Sequence, residues 1–191
     1  MMPPCRPAKP PSCRPKPPGK KASLDALIAE FRTKHLKGIE RELEFFRTRP
    51  SIEVAIRHAA TATDEDGYCF DHQFRILRAA RLQAAAILTS AKSRFRACAS
   101  FHELHTLLSD LLSPVPGLGE LYVYDTALRL GTYVGLAPDF VYLHAGTREG
   151  ARALGLGRGR AYLELHDLPG PLRALSVDEV ESFFCFYKAL L

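Results

Sequence analysis

The chain has 191 residues, of which 47% are hydrophobic, so it is long enough for one domain with a core and a terminal segment. The formal net charge is +5, but residues 1–21 hold six lysines and arginines and no acid, which leaves −1 for residues 22–191. A nearly neutral domain argues against a protein whose whole surface attracts polyanions. No run of eighteen apolar residues is present, so we expect no membrane association and a cytoplasmic location.

The segment 1–21 contains most of the prolines of the chain, in short clusters. Proline removes amide donors and favours extended polyproline II, so this segment is predicted to be a disordered basic tail. It has no apolar stretch of the kind that a secretory signal needs. The tail could bind an acidic surface, a nucleic-acid backbone or a proline-reading protein, or it could act only as a solubilising leader.

Residues 22–191 are predicted to form a single helical domain. Apolar residues recur at three- and four-residue steps between Ser23 and Phe46, which indicates a first helical segment. Pro50 breaks this run and Ser51 can cap a second helix. A long helix rich in alanine and arginine is then predicted over residues 71–91.

Two later helices are predicted to start at the capping boxes of Ser100 and Ser176, where a glutamate follows the serine by three residues. Residues 139–143 and 161–165 could form short strands, but two such pieces do not make a sheet-based fold. The sequence therefore predicts an all-α fold, a multi-helix domain that contains a glycine-rich, helix-hairpin-helix-like segment.

The cysteines and histidines do not form a recognisable site. The five cysteines are an odd number without a C-x-x-C pair, so we expect reduced thiols. His102 and His105 are three residues apart on a predicted helix, but no third ligand accompanies them at a fixed spacing. No Walker loop, Rossmann fingerprint or nucleophile elbow is present. The sequence therefore predicts neither a metal nor a cofactor.

The first segment that points to a binding function is Pro114–Gly119, which lies between two apolar helices. Gly117 and Gly119 let the backbone turn tightly, and the helix that follows begins with unpaired amides that can hold a phosphate. The Pro-Gly-Leu-Gly run resembles the hairpin of helix-hairpin-helix DNA-binding proteins. The resemblance implies that the glycine amides contact the backbone of one DNA strand without reading its sequence. The alternative is a plain turn between helices.

A second candidate lies downstream, between His144 and Leu154. Thr147 can cap a short helix there, and Gly146 precedes it in a second glycine turn. Arginine pairs well with phosphate in bidentate geometry. The alternative is a solvated glycine-rich connector. The predicted DNA contacts of the domain are Gly117, Gly119, Arg129, Gly146, Thr147, Arg148, Arg152, Arg158 and Arg160.

A third feature is the charge between His72 and His102, where there is no acid. Arg75, Arg78 and Arg81 step by three along the predicted long helix, so they can form a basic ridge. Such a ridge can lie along phosphates, and each neutralised phosphate adds to a salt-dependent affinity. The ridge could instead pair with acids of the domain, such as those of the loop 64–66.

The fourth feature is the segment Val123–Leu130, with Asp125 and Thr126 near its centre. It is similar to the Val-Asp-Thr stretch of endonuclease III-like DNA glycosylases. The resemblance implies that Asp125 is catalytic and stabilises the cationic sugar that develops as a damaged base departs. The alternatives are that Asp125 caps a helix beginning at Thr126, or that it pairs with a nearby arginine.

Three functional hypotheses follow from these features. The first is a DNA-binding protein, with base excision at Asp125 as a subordinate form in which the enzyme would be glycosylase-like. The second is a non-catalytic interaction or regulatory factor that uses the tail. The third is an enzyme on a small substrate, with Asp125 and Arg148 at a pocket. The side chains predicted to line this pocket, where the tyrosines could also stack on bases, are Tyr122, Tyr124, Tyr142 and His144.

Overall fold

The computed structural model describes residues 22–191 and is mostly helical, which confirms the all-α prediction. The tail predicted over residues 1–21 lies outside the described residues. The helices are α1 (Leu24–Phe31), α2 (Lys37–Arg47), α3 (Ile52–Thr61), α4 (Arg78–Ser90), α5 (Lys92–Phe95), α6 (Phe101–Leu112), α7 (Glu120–Val134), α8 (Ala145–Ala153) and α9 (Val177–Tyr187).

Shorter elements complete the chain. A π-helical turn (Arg32–Leu36) joins α1 to α2, and 3-10 turns cover Asp71–Gln73, Leu165–Asp167 and Gly170–Ala174. The two strands that the sequence allowed are present as β1 (Val141–Tyr142) and β2 (Tyr162–Leu163), which pair antiparallel.

Serine caps set the starts of four helices, and those at Ser51, Ser100 and Ser176 were predicted. The side chains of Ser23, Ser51 and Ser100 each accept a hydrogen bond from the amide three residues on, and Ser176 forms a capping box with Glu179. The long helix predicted over residues 71–91 is wrong at its start, because α4 begins only at Arg78.

The larger hydrophobic core lies between α2, α3, α4, α6 and α7. Phe46, Ile56, Leu104 and Leu130 are fully buried in it. Burial of each large apolar side chain contributes about 1.5–3 kcal/mol, so this core stabilises the packing of these five helices.

The smaller core joins the first described helix to the last. The ring of Phe31 on α1 lies edge-on to Phe183 on α9, with 5.7 Å between centroids, and 6.3 Å from Tyr187. Strand β1 connects the two cores, because successive side chains of a strand point to opposite faces. Val141 belongs to the smaller core and Tyr142 to the larger one.

Helices α8 and α9 are in close contact at Gly150. A Cβ atom at this position would lie 2.5 Å from the carbonyl oxygen of Phe184, so only glycine allows the two backbones to approach this closely. None of the helices between residues 22 and 191 has the length and apolarity needed to cross a membrane.

Candidate nucleic-acid interface

The glycine turn between α6 and α7 is present and exposed. Gly117 has φ +85°, in the left-handed region, and Gly119 is the N-cap of α7. Both glycines are exposed to solvent. The predicted arrangement of two helices joined by a tight glycine turn is therefore the one that the chain adopts.

Arg148 connects this turn to the second glycine segment. Its guanidinium nitrogens lie 3.2 and 3.3 Å from the carboxylate of Glu120, the first residue of α7. The two segments are thus neighbours, as a shared DNA contact would require. Glu120 also places a negative charge at the start of α7, and this charge offsets the positive charge of Arg148.

Thr147 is buried and Gly146 is half-buried, which corrects the predicted phosphate contact at Thr147 and restricts access to Gly146. A Cβ atom at Gly146 would lie 3.1 Å from the sulfur of Cys185. Thr147 is fully buried, and its hydroxyl lies 2.8 Å from both Glu181 Oε1 and His144 Nε2. The N-cap of α8 is His144, not Thr147 as predicted.

The buried group of His144, Thr147 and Glu181 does not have the geometry of a catalytic relay. A relay uses one ring nitrogen of histidine toward the nucleophile and the other toward the carboxylate. Here the same atom, His144 Nε2, contacts both Glu181 and Thr147. The group instead ties the start of α8 to α9.

Arg129 is also inside the protein, which corrects its prediction as a phosphate contact. Its Nε donates to Glu42 at 2.8 Å and its Nη1 donates to Gln73 at 3.1 Å. The guanidinium lies 4.2 Å from the ring centroid of Phe70, in cation–π geometry. All of these contacts are internal, so the side chain cannot reach DNA in this conformation.

The predicted pocket residues fill the core. Tyr122, Tyr124, Tyr142 and His144 are all buried. The hydroxyl of Tyr122 donates to the carbonyl of Ala60 at 2.5 Å, and burial raises the pKa of Tyr122 to about 12. These side chains pack between helices, so they line no open pocket at this place, and the sequence prediction is corrected.

The remaining predicted arginines are on the surface. Arg160 pairs with Asp167 at 2.8 Å. Arg152 and Arg158 are exposed and make no ion pair with an acid in the described part of the chain. These two side chains remain available for a phosphate.

Asp125 lies in the middle of α7 and belongs to a chain of polar contacts. It does not cap a helix, because α7 begins at Glu120. Its carboxylate accepts hydrogen bonds from His72 Nε2 at 2.8 Å and from the Gln73 amide. Since Gln73 in turn accepts from Arg129, the contacts run from Glu42 to His72. We call these five side chains, Glu42, Arg129, Gln73, Asp125 and His72, the Asp125 network.

His72 is the exposed end of the Asp125 network. Its side chain is 47% exposed, whereas that of Asp125 is 13% exposed. Burial lowers the pKa of His72, but the hydrogen bond and charge of Asp125 outweigh this effect and raise the pKa above its ordinary value. The pair can therefore hold a proton at the surface.

The sequence did not predict the β-turn that follows His72. Ile76 N donates to Gln73 O at 3.1 Å, and Phe74 has φ −61° and ψ −24°, as at the second position of a type I turn. Gln73 is buried in the Asp125 network, and Ile76 packs on the larger core. Phe74 and Arg75 form the tip. We call residues 73–76 the Phe74 turn.

The Phe74 turn and the start of α4 combine exposed apolar and basic side chains. Phe74 is 54% exposed and Leu77 is 76% exposed. Arg75 and Arg78 are exposed and form no ion pair with any acidic side chain that the structure describes, while the Arg75 guanidinium lies 5.6 Å from the Phe74 ring centroid. No described side chain caps the amides at the start of α4.

The predicted basic ridge is only partly present. Arg81 points inward, where its Nη1 donates to the carbonyl of Thr61 at 2.5 Å. Lys92 pairs with Glu53 at 2.5 Å. Of the three arginines of the predicted ridge, only Arg75 and Arg78 lie on the surface. The acidic loop 64–66 pairs with neither of them.

A groove of about 550 Å³ opens between α2 and the residues around the acidic loop. Its lining includes Glu42 of the Asp125 network and the ring of Phe70. Five carboxylates and two guanidinium groups line it: Glu42, Glu44, Asp64, Glu65, Asp66, Arg41 and Arg49. The excess of negative charge disfavours a polyanion, so the groove is not a path for DNA.

Within residues 22–191, no group of three or more histidine, cysteine or acidic side chains is placed to hold a metal ion.

Comparison with known proteins identifies no relative of this chain. No family model, curated protein or solved structure matches the chain.

Proposed function

We propose that this protein binds DNA through its phosphate backbone, and that the Phe74 turn and the start of α4 form its principal contact. The observation that carries the proposal is the pair of exposed arginines, Arg75 and Arg78, neither of which pairs with a described acidic side chain. Guanidinium groups bind phosphate in bidentate geometry. Such contacts are independent of base sequence.

Other basic groups support an extended contact. Arg94 and Arg96 are exposed beyond the far end of α4, a helix about 20 Å long that begins at Arg78. Arg152 and Arg158 lie in the glycine-rich segment. Residues 1–21 add a charge of +6. Each phosphate that these groups neutralise releases counterions, which strengthens binding at low salt.

Fluorescence anisotropy with a labelled oligonucleotide at several salt concentrations tests the proposal. We expect Arg75→Gln/Arg78→Gln to weaken binding at least tenfold at low salt. The slope of log affinity against log salt should fall in magnitude by about 1.8 with a duplex and by about 1.4 with a single strand, because two phosphate contacts are lost. Arg152→Gln/Arg158→Gln removes the same charge from the glycine-rich segment and is the matched comparison.

Three outcomes contradict the proposal as stated. If only the Arg152/Arg158 variant weakens binding, the glycine-rich segment is the contact. If deletion of residues 1–21 abolishes all binding, the domain does not bind DNA and a role in protein interaction gains support. If the full chain shows no salt-dependent affinity for DNA, the protein does not bind it.

A second candidate function is base excision, and the His72–Asp125 pair favours it. The pair lies at the exposed end of the Asp125 network, directly before the Phe74 turn. A carboxylate there could stabilise the positive charge that develops on a sugar as its base leaves. The test is strand cleavage after alkali with duplexes that carry uracil or hypoxanthine. An Asp125→Asn variant with an unchanged rate removes Asp125 from the mechanism.

A further inference from the structure

Large apolar side chains are unusually exposed around the Phe74 turn. Within residues 22–191, four of the seven exposed large hydrophobic side chains lie between positions 68 and 82: Tyr68, Phe74, Leu77 and Leu82. Contiguous exposed apolar side chains mark an interaction site, and Phe74 and Leu77 lie only three residues apart in this segment. The exposure of Phe74 and Leu77 therefore calls for a ligand with an apolar surface.

The Phe74 turn is held in place before any ligand arrives. Gln73 is fixed on one side by Asp125 and Arg129, and Ile76 is fixed on the other by the larger core. The turn also has its own hydrogen bond of 3.1 Å. A tip that is already ordered loses little conformational entropy on binding, so its apolar contact contributes more to affinity.

The charges around the tip select the ligand. Arg75 and Arg78 flank the apolar side chains, and the sequence has no acid from His72 to His102. A ligand that fits this tip offers apolar surface and anionic groups together. A single strand of DNA offers both, since its unpaired bases expose their faces while the backbone carries the phosphates.

We infer that the Phe74 turn binds single-stranded DNA, with the ring of Phe74 stacked on a base, Leu77 against the adjoining base or sugar, and Arg75 and Arg78 on phosphates. This inference rests on the proposed DNA binding and specifies its substrate. Base stacking on an aromatic side chain is tolerant of sequence, so the strand is taken without strong base preference.

The absence of tryptophan from the chain allows a direct test. Phe74→Trp places a single indole at the tip in the full-length protein. On titration with an oligothymidylate, we expect its fluorescence to be quenched as the indole stacks on a base. Phe186→Trp is the matched control, because Phe186 is 55% exposed on α9, and its fluorescence should stay unchanged.

Affinity gives a second measurement. Phe74→Ala/Leu77→Ala should weaken binding to the single strand by about fivefold to a hundredfold, the range expected for loss of one stacked base. Phe74→Tyr/Leu77→Met keeps the aromatic face and the apolar volume, so it should retain most of the affinity. Binding to a blunt duplex of the same sequence should be weaker than binding to the single strand in the unsubstituted protein.

The inference is overturned if anisotropy shows DNA binding at saturation while the Phe74→Trp signal does not change; the proposed DNA binding then stands. It is also overturned if the Ala/Ala variant binds the single strand normally. A blue shift of the indole with vesicles of anionic lipid, or with an acidic peptide, and no quenching by DNA would assign the tip to that partner. Absence of any DNA binding removes both proposals.

Discussion

The described arginine side chains include buried ones and exposed ones. Arg129 and Arg81 are buried, and their guanidinium groups donate to internal acceptors. Arg75 and Arg78 have no such acceptor and stay in solvent. Burial of a charged group is tolerated where acceptors such as the Thr61 carbonyl or Glu42 meet it, so the partners of an arginine, rather than its position in the sequence, decide whether it can meet a ligand.

Removal of Arg129 is expected to destabilise the protein. Arg129→Met keeps most of the apolar volume but leaves Glu42 and Gln73 without their donor. We expect the free energy of unfolding to fall by about 2 kcal/mol, less than for a fully buried pair, because Glu42 is 30% exposed. Urea denaturation measures the change. Arg152→Met, at an exposed site, should stay within about 0.5 kcal/mol of the parent, and an equal loss there would contradict the reasoning.

His105 should make stability depend on pH. Burial, followed by the charge of His102, lowers the pKa of His105 from 6.5 to about 4. Between these values the unfolded chain binds the proton and the folded protein does not, so the free energy of unfolding falls as pH falls from about 6.5 to 4. In His105→Gln this slope should be smaller, while above pH 7 the free energies of unfolding of the two proteins should depend on pH in the same way. Identical slopes below pH 6.5 would refute the assignment.

Helix packing at the level of elements depends on single glycines. Gly150 lies against the backbone of Phe184, which cannot move without displacing α9. Gly38, by contrast, lies on α2 with no atom within 4 Å of an added Cβ. The same substitution therefore has opposite consequences in the two helices.

Gly150→Ala should lower the free energy of unfolding by about 2 kcal/mol, because the added methyl forces α8 and α9 apart. Gly38→Ala should raise it by about 0.5–1 kcal/mol, because alanine loses less backbone entropy in a helix. Thermal or urea unfolding of the Gly150→Ala and Gly38→Ala variants measures both changes. A stabilised Gly150→Ala protein would show that α9 can shift freely.

The Asp125 network should hold the Phe74 turn. Asp125→Ala removes the acceptor of the Gln73 amide, so the turn should open more often. We expect hydrogen exchange at the Ile76 amide, which donates to Gln73 O, to become at least tenfold faster. Asp110→Ala, at an exposed position on α6, should leave this amide unchanged. Equal protection in both variants would mean that the core alone holds the turn.

The sequence predicted those features that depend on neighbouring residues. The caps at Ser51 and Ser100 could be identified because each bond spans only three residues. Ala80, Ala84 and Leu88 form the buried face of α4 at steps of four, a pattern that the sequence contains but from which no prediction was made. Phe74 and Leu82 do not lie on that face, which was the available signal that they are exposed.

The burial of Arg129 could not be predicted in this way. Its partners Glu42 and Gln73 are 87 and 56 residues away in the sequence. Thr147 was likewise predicted to cap a helix. Its actual acceptor, Glu181, lies in another helix, so the neighbouring sequence gives no sign of it. Most of the fold therefore follows from local patterns, whereas much of the candidate site depends on contacts that only the tertiary structure reveals.

The smaller core holds the two ends of the described chain together, because it packs α1 against α9. Phe183 is fully buried there against Phe31, whereas Phe186 on the same helix is largely exposed. Phe183→Ala should lower the free energy of unfolding by about 3–5 kcal/mol through the cavity that it leaves. Phe186→Ala should lower it by less than about 1 kcal/mol. Urea denaturation of both variants checks this, and a similar loss in each would mean that α1 and α9 contribute little.

The packing of α1 on α9 also sets the time at which this protein can finish folding in the cell. Phe31 and Phe183 are about 150 residues apart. At a synthesis rate of about 5–20 residues per second, α1 leaves the ribosome roughly 8–30 s before its partner helix exists. During that interval Leu27, Ile28 and Phe31 have no native cover. The nascent chain therefore exposes the apolar face of α1, which chaperones can bind, until α9 has been synthesised.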